Sequence, residues 1–413
     1  MKKKYLILFV ILTFIFDANA FSQQKSVSKM EYRALLHRND KLPIVFNISE
    51  SKFGGKRTWT IRNAAEKLVA DRIIEKGDSL LVYLPFFDGM LLLKKSSTGY
   101  EGVWNKKTIK GDQFMPLTME KGNKRLGLTG PVSRYNVTGR WKVEFINPDL
   151  KRSIAMGEFK QVGNKLTGTF LTPTGDYRFL EGVVAGDSMQ MTTFDGSHAF
   201  FFSAHIKDGN TLESGIYASG PTYTEKWTAK RDEKMILDES SSSFQLKGKA
   251  NKLDFSFPDL DSNIVSITDE RFKNKVVVIQ IMGSWCPNCM DETAFLSKFF
   301  DENKQLGVEV IGLAYEYSKD FLRSKKSLSY FKNRFSVKYP ILITGITSSD
   351  EMKTEKSLPQ MTEIKAFPSM IFIGRDGTVR KTHAGYAGPA TGIHHDQFKK
   401  EFSEIVDALL AEK

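Results

Sequence analysis

The two cysteines of this 413-residue chain, Cys286 and Cys289, stand three positions apart in the stretch Gly-Ser-Trp-Cys-Pro-Asn-Cys. Two thiols at this spacing can belong to a metal site, a haem attachment site, a structural disulfide or a redox couple. A structural zinc site needs four ligands, and the sequence has no second cysteine pair. Haem attachment needs His after the second Cys, where this chain has Met290. A disulfide closing so short a loop adds almost no stability, so reversible redox exchange remains.

The residues around the pair predict a buried strand followed by a helix. Residues 275–282 are a continuous apolar run, typical of a parallel strand with both faces covered, and helical spacing begins at Cys286. Pro287 suits the first helical position because its missing N–H is not needed there. The N–H groups and dipole of a helix N-terminus stabilise a thiolate. We therefore expect Cys286 to attack and Cys289 to close a Cys286–Cys289 disulfide.

The wider sequence predicts a multidomain protein. Residues 252–413 alternate strands and helices, which indicates an α/β domain. Residues 238–251 are polar, include four consecutive serines and are interpreted as a linker. Residues 21–237 contain short apolar and aromatic runs separated by turns, which is typical of β-barrels or β-sandwiches.

The β-rich region also shows signs of duplication. Gly-Asp-Ser occurs at residues 77–79 and again at 186–188, each time before an aromatic strand. Two related domains, at 21–125 and 126–237, explain this, although chance similarity of β-turn sequences is an alternative. We expect this region to be a binding or spacing module, and its partner is unknown.

The N-terminus predicts export. Three lysines, a twelve-residue apolar core and Ala18-Asn19-Ala20 fit a cleavable signal peptide over residues 1–20. An uncleaved anchor is the alternative, but a membrane span needs about 20 apolar residues. Removing residues 1–20 lowers the net charge from +12 to +10, and the remaining charges are scattered. This pattern does not favour nucleic-acid binding, so we expect a protein of the periplasm or cell envelope.

The sequence Trp-Cys-Pro-Asn-Cys after a strand, with Ala-Phe-Pro-Ser further along, resembles the thioredoxin superfamily. Over about residues 253–413 it is most similar to the TlpA/ResA-type extracytoplasmic thiol–disulfide oxidoreductases. The resemblance implies a cis-proline loop with Pro368 opposite the disulfide, and Phe367 beside it pairing with the substrate backbone. It also makes Glu292 an active-site acid, although an exposed residue of the first helical turn is the alternative. Trp285 is expected to cover the disulfide and contact the substrate.

Two positions depart from related families. Gln280 stands where thioredoxin has a buried Asp, so a proton relay must use Glu292 or water. Gly283 stands where peroxiredoxins have Thr, which disfavours peroxidase activity.

The predicted function is reduction of protein disulfides by a periplasmic thiol–disulfide oxidoreductase. We expect no cofactor and no metal, and electrons from a membrane or envelope donor, because the chain has no third cysteine. The resemblance also implies a role in cytochrome c biogenesis, through reduction of cytochrome c thiols. A disulfide oxidase or isomerase, or a redox-inert binding protein, remains an alternative.

Overall fold

The computed structural model describes residues 28–53, 56–84, 89–108, 111–125, 131–238, 240 and 242–412. The signal peptide predicted for residues 1–20 lies outside the described residues. Two nine-stranded antiparallel sheets precede a mixed α/β domain, which confirms the predicted β-rich region followed by a thioredoxin-like domain. No helix within these ranges is long and apolar enough to cross a membrane.

The first sheet is an antiparallel meander. Its strands are β1 Ser28–His37, β2 Pro43–Phe53, β3 Lys56–Asn63, β4 Glu66–Ala70, β5 Arg72–Lys76, β6 Ser79–Tyr83, β7 Gly89–Lys95, β8 Gly99–Thr108 and β9 Gly111–Lys121. The order is β4-β3-β2-β1-β9-β8-β7-β6-β5, because β1 pairs with β9. Alternate residues of β4 are buried, as expected for a sheet with one covered face. Trp59 and Trp104 lie on that buried face.

The second sheet closes into a barrel. Its strands are β10 Gly139–Ile146, β11 Arg152–Val162, β12 Lys165–Thr172, β13 Gly175–Asp176, β14 Leu180–Ala185, β15 Ser188–Phe194, β16 Ala199–Asp208, β17 Thr211–Ser219 and β18 Tyr223–Arg231. β10 pairs with both β11 and β18, while β12 pairs with both β11 and β14. The ring therefore has no free edge, and it encloses Trp141, Phe145, Phe170 and Trp227.

The repeated Gly-Asp-Ser sequences occupy corresponding places in the two sheets. The first connects β5 to β6, and the second connects β14 to β15, in each case through a two-residue turn. Gly77 and Gly186 have φ values of 57° and 55°. A two-residue hairpin needs positive φ at this position, which explains glycine at both.

The C-terminal domain is built on a five-stranded mixed sheet. A hairpin of β19 Ser256–Pro258 and β20 Ile264–Ser266 precedes it. The sheet strands are β21 Val276–Met282, β22 Val308–Ala314, β23 Ile341–Ile343, β24 Ser369–Ile373 and β25 Val379–Ala384, in the order β23-β22-β21-β24-β25. The helices are α1 Pro287–Asn303, α2 Phe321–Arg334, α3 Lys353–Ser357 and α4 Ile393–Ala411. Every residue of β21 is buried, so the cysteine pair follows the central strand directly.

Part of the predicted linker packs against this domain. Phe244 is 2% exposed and belongs to the same apolar cluster as Ile279 of β21. The backbone of Gln245 accepts a hydrogen bond from the Thr362 N–H at 2.7 Å. The polar composition predicted a linker over residues 238–251, and burial of the Phe244 ring holds residues 242–247 of it on the domain.

A fragment beginning at Ser242 should therefore be more stable than one beginning at Lys252. Truncating a buried Phe costs about 3–5 kcal/mol, so we expect a free energy of unfolding about 3 kcal/mol higher for the longer fragment. Urea unfolding followed by Trp285 fluorescence measures it, because Trp285 is the single tryptophan of either fragment. Phe244→Ala in the longer fragment should remove most of the difference. Equal unfolding midpoints for the two wild-type fragments would contradict the packing role.

Candidate active site

The cysteine pair lies at the N-terminus of α1. Cys286 is the N-cap residue, and Pro287 is the first residue of the helix. The backbone N–H of Cys289 donates to the Sγ of Cys286 at 3.2 Å, so the first sulfur takes the place of a capping oxygen. Both cysteines are thiols in this structure. A negative charge on Cys286 would therefore be met directly by a helix N–H group.

The two thiols differ in their surroundings. Cys286 is 5% exposed, while Cys289 is 0% exposed. Burial raises the pKa of the Cys289 thiol well above its ordinary value, and the adjacent Cys286 sulfur adds to this shift. Since the thiolate is the nucleophile, Cys286 is better placed for attack and Cys289 for the second, intramolecular step.

The aromatic residues predicted for the site surround Cys286. Trp285 donates from Nε1 to the backbone oxygen of Tyr315 at 2.8 Å. Its ring stacks on Tyr317 at 4.8 Å and meets Phe367 edge-on at 5.4 Å. The Phe367 carbonyl accepts from the Cys286 thiol at 3.5 Å, and the peptide bond from Phe367 to the buried Pro368 is cis. The structure thus brings Trp285, Phe367 and Pro368 together with the pair.

Glu292 is buried, which excludes the alternative of an exposed residue on the first helical turn. Its side chain is 0% exposed, and its Oε2 accepts from Gln280 Nε2 at 2.7 Å. Gln280 also donates to the backbone oxygen of Cys289 at 3.3 Å, so it links the carboxyl group to the second cysteine. Burial raises the pKa of Glu292 to about 8. At neutral pH the group is therefore largely a neutral acid with a proton to give.

Comparison with known proteins agrees with this geometry. The redoxin family model matches residues 247–395. This part of the chain is similar to redoxins, and we refer to it below as the redoxin domain. Thiol-disulfide oxidoreductase ResA of Halalkalibacterium halodurans is 24% identical over 155 residues, which cover 37% of this chain and 74% of that protein. ResA of Bacillus thuringiensis subsp. konkukian is 26% identical over 125 residues, covering 30% and 62% respectively. These relatives support the predicted enzyme class, a thiol–disulfide oxidoreductase.

A solved structure of a putative thiol:disulfide interchange protein DsbE from Chlorobium tepidum also aligns with the chain. It is 18% identical, covers 40% of this chain and 100% of its own, and has a TM-score of 0.31.

Sequence reasoning missed a carboxylate that holds the loop before the cysteines. Glu316 accepts from the backbone N–H of Ser284 at 2.7 Å and from its hydroxyl at 2.6 Å, and both residues are buried. Glu316 follows β22, the parallel neighbour of β21. The carboxyl ends of parallel strands meet at one edge of a sheet. The positions of Ser284 and Glu316 near the carboxyl ends of two predicted strands could therefore have indicated this contact.

Two residues of the β-rich region also reach the redoxin domain and were not anticipated. Arg178 donates to the carbonyl oxygen of Pro287 at 3.2 Å, and the backbone oxygen of Asp176 accepts from Asn288 Nδ2 at 3.3 Å. Arg178 and Pro287 are 109 residues apart, and neither lies in a pattern that predicts the other. Burial raises the pKa of the Asp176 carboxyl to about 6.

The raised pKa of Glu292 predicts a specific pH dependence of stability. An unfolded Glu loses its proton near pH 4.3, whereas folded Glu292 keeps it until about pH 8. Between these values the unfolded state binds one proton fewer, so the free energy of unfolding should fall by about 1.4 kcal/mol per pH unit. Glu292→Gln should remove that contribution. Urea unfolding of the reduced fragment from Ser242, at several pH values in this window, measures the slope.

Glu404→Gln is the matched control, since Glu404 is exposed on α4. It should keep the wild-type slope. Identical slopes for wild type and Glu292→Gln would show that Glu292 is ionised in the folded protein at neutral pH.

Proposed function

We propose that the chain is an exported thiol–disulfide reductase acting on protein disulfides through Cys286 and Cys289. One observation carries the proposal: the Sγ of Cys286 lies between the Cys289 N–H and the Phe367 carbonyl, while Cys289 is fully buried behind it. One sulfur is therefore placed to attack and the other to resolve.

The reaction proceeds in two exchanges. The Cys286 thiolate attacks one sulfur of the substrate disulfide, the substrate S–S bond breaks, and the departing thiolate takes up a proton. The Cys289 thiol then loses its proton and attacks the Cys286 sulfur of the mixed disulfide. The Cys286–Cys289 disulfide forms and the second substrate thiol leaves. Two electrons have passed from the protein to the substrate.

Glu292 is proposed as the internal proton carrier for the second exchange. Cys289 must lose a proton in a site that disfavours its thiolate. The ionised form of Glu292, whose carboxyl Gln280 links to the Cys289 backbone, accepts that proton and passes it to the departing substrate thiolate. An acid whose pKa lies near the working pH transfers protons in either direction with little driving force lost.

Export by residues 1–20 would place the protein in the periplasm or cell envelope, as the N-terminal sequence predicts. Regeneration of the dithiol needs an external donor of two electrons, since Cys286 and Cys289 are the only cysteines of the chain. A membrane or envelope thiol protein would serve, and reduction of oxidised cytochrome c thiols is one process of this class.

The order of attack is tested by labelling and trapping. Each unit by which a thiol pKa is raised lowers its thiolate fraction tenfold, so Cys289 should be alkylated at least about tenfold more slowly than Cys286. Cys289→Ser should accumulate a mixed disulfide with a disulfide-containing protein substrate such as insulin, and Cys286→Ser should lose insulin reduction. Equal labelling of the two thiols, or trapping by the Cys286→Ser variant, would contradict this order.

The direction of electron flow is tested by the equilibrium potential of the couple. The Cys286 sulfur hydrogen-bonds the Cys289 N–H and the Phe367 carbonyl, and neither carries a positive charge. With a helix N–H group but no charged partner in these two hydrogen bonds, we expect a potential nearer that of thioredoxin, about −270 mV, than that of DsbA, about −120 mV. Titration against glutathione buffers measures it.

The same titration tests Glu292. Above about pH 8 an ionised Glu292 opposes thiolate formation, so Glu292→Gln should be less reducing than wild type there and equal to it near pH 6. Coincident potentials at both pH values would remove Glu292 from the mechanism, and a wild-type potential near that of DsbA would favour an oxidase.

A further inference from the structure

The dipeptide between the two cysteines is held by the second β-sheet. Arg178, just after β13, contacts the Pro287 carbonyl, and the Asp176 backbone contacts the Asn288 amide. The Asp176 carboxyl also accepts from the backbone N–H of Gly388 at 2.7 Å. Residues 175–178, which we name the docking segment, therefore lie against the N-terminus of α1.

Arg178 anchors the docking segment through buried ion pairs. Its guanidinium pairs with Asp291 of α1 at 2.5 Å, with Glu66 of the first sheet at 2.6 Å and with Asp195 of the second sheet at 3.3 Å. The Arg178 side chain is 4% exposed. Breaking a buried pair by removing one partner leaves the others uncompensated, so loss of Arg178 weakens the whole contact.

Glycines allow the two domains to approach closely at this point. A Cβ on Gly175 would overlap the amide nitrogen of Asn288. A Cβ on Gly385, which follows β25, would lie 2.9 Å from the Pro173 oxygen. A larger residue at position 175 would strain the backbone, whose φ is 140°, and would displace the Asn288 side chain from its contact with the docking segment.

The docking segment contacts the two residues that follow the attacking sulfur. Cys286 is 5% exposed, and Pro287 beside it is buried. Disulfide exchange requires a substrate sulfur to contact the Cys286 sulfur, with the rest of the substrate outside the protein. A small disulfide can enter through a narrow opening, whereas a folded protein carrying a disulfide needs a wide one.

We propose that the docking segment determines the size of the disulfides that reach Cys286. With the segment docked, Cys286 exchanges with small or slender disulfides, and bulky protein disulfides gain access when the segment separates from α1. In this scheme Arg178 and Gly175 determine specificity. They are not catalytic residues, because neither touches the reacting sulfurs. The inference rests on the proposed function of Cys286 as the attacking thiol.

The test compares two reagents of the same chemistry and different size on the reduced full-length protein. N-ethylmaleimide is small, and a maleimide carrying a polyethylene glycol chain is bulky. The labelling rate of Cys286 is followed for each by peptide mass spectrometry. The ratio of the bulky to the small rate reports steric access, because a change in the thiolate fraction affects both rates equally.

Arg178→Ala and Gly175→Leu should each raise this ratio by about tenfold, which corresponds to about 1.4 kcal/mol of lost docking free energy. Turnover of insulin relative to oxidised glutathione should rise in the same variants. Arg178→Lys should give a smaller rise, because it keeps the charge but not the planar group that reaches several acceptors.

Two control variants match the changes without touching the docking segment. Gly122→Leu introduces nearly the same backbone strain as Gly175→Leu, since φ is 136° at Gly122 and 140° at Gly175. A Cβ at position 122, however, meets no atom within 4 Å. Arg152→Ala removes an exposed arginine paired with Glu144 on the same barrel. Both should keep the wild-type ratio.

An unchanged ratio in both Arg178→Ala and Gly175→Leu would overturn the proposal, as would equal rises in the controls. A higher ratio in either folded test variant, with unchanged ratios in the controls, supports the proposal. If one test variant fails to fold, the other still decides the outcome. If neither N-ethylmaleimide nor oxidised glutathione reacts at Cys286 in any variant, the proposed function fails instead.

Discussion

The buried positive charge of Arg178 has to be neutralised by carboxylates close to it. These carboxylates come from both β-sheets and from the redoxin domain. Glu66 lies in the first sheet, Asp195 in the second and Asp291 on the helix that begins with the redox motif. Charge removed from water needs close, hydrogen-bonded partners. The two sheets and the redoxin domain therefore come together around Arg178, next to the cysteine pair.

The docking segment belongs to a connection of the closed barrel. Asp176 and Arg178 lie between β12 and β14, which pair with each other in the ring. From this connection the β-rich region contacts Pro287 and Asn288, the two residues between the cysteines.

The redoxin domain holds a buried carboxyl group near the second cysteine. The neighbouring strand β21 carries Gln280, which is also buried. The amide of Gln280 hydrogen-bonds the Glu292 carboxyl, one turn into α1, and so fixes an acid beside Cys289. Burial then keeps the carboxyl protonated at neutral pH. The strand supplies the hydrogen bond and the helix supplies the titratable group.

The sequence by itself determined the redox motif, its position between strand and helix, and the β-rich and α/β halves of the chain. These follow from local spacing, since apolar periodicity and the Cys-x-x-Cys pair are each contained in a few consecutive residues. Only the tertiary structure decided that Glu292 is buried, that Phe244 packs under the redoxin domain and that Arg178 reaches Pro287. Each depends on residues brought together from distant parts of the chain, and the identity of an Arg, a Glu or a Phe does not encode which distant surface will cover it.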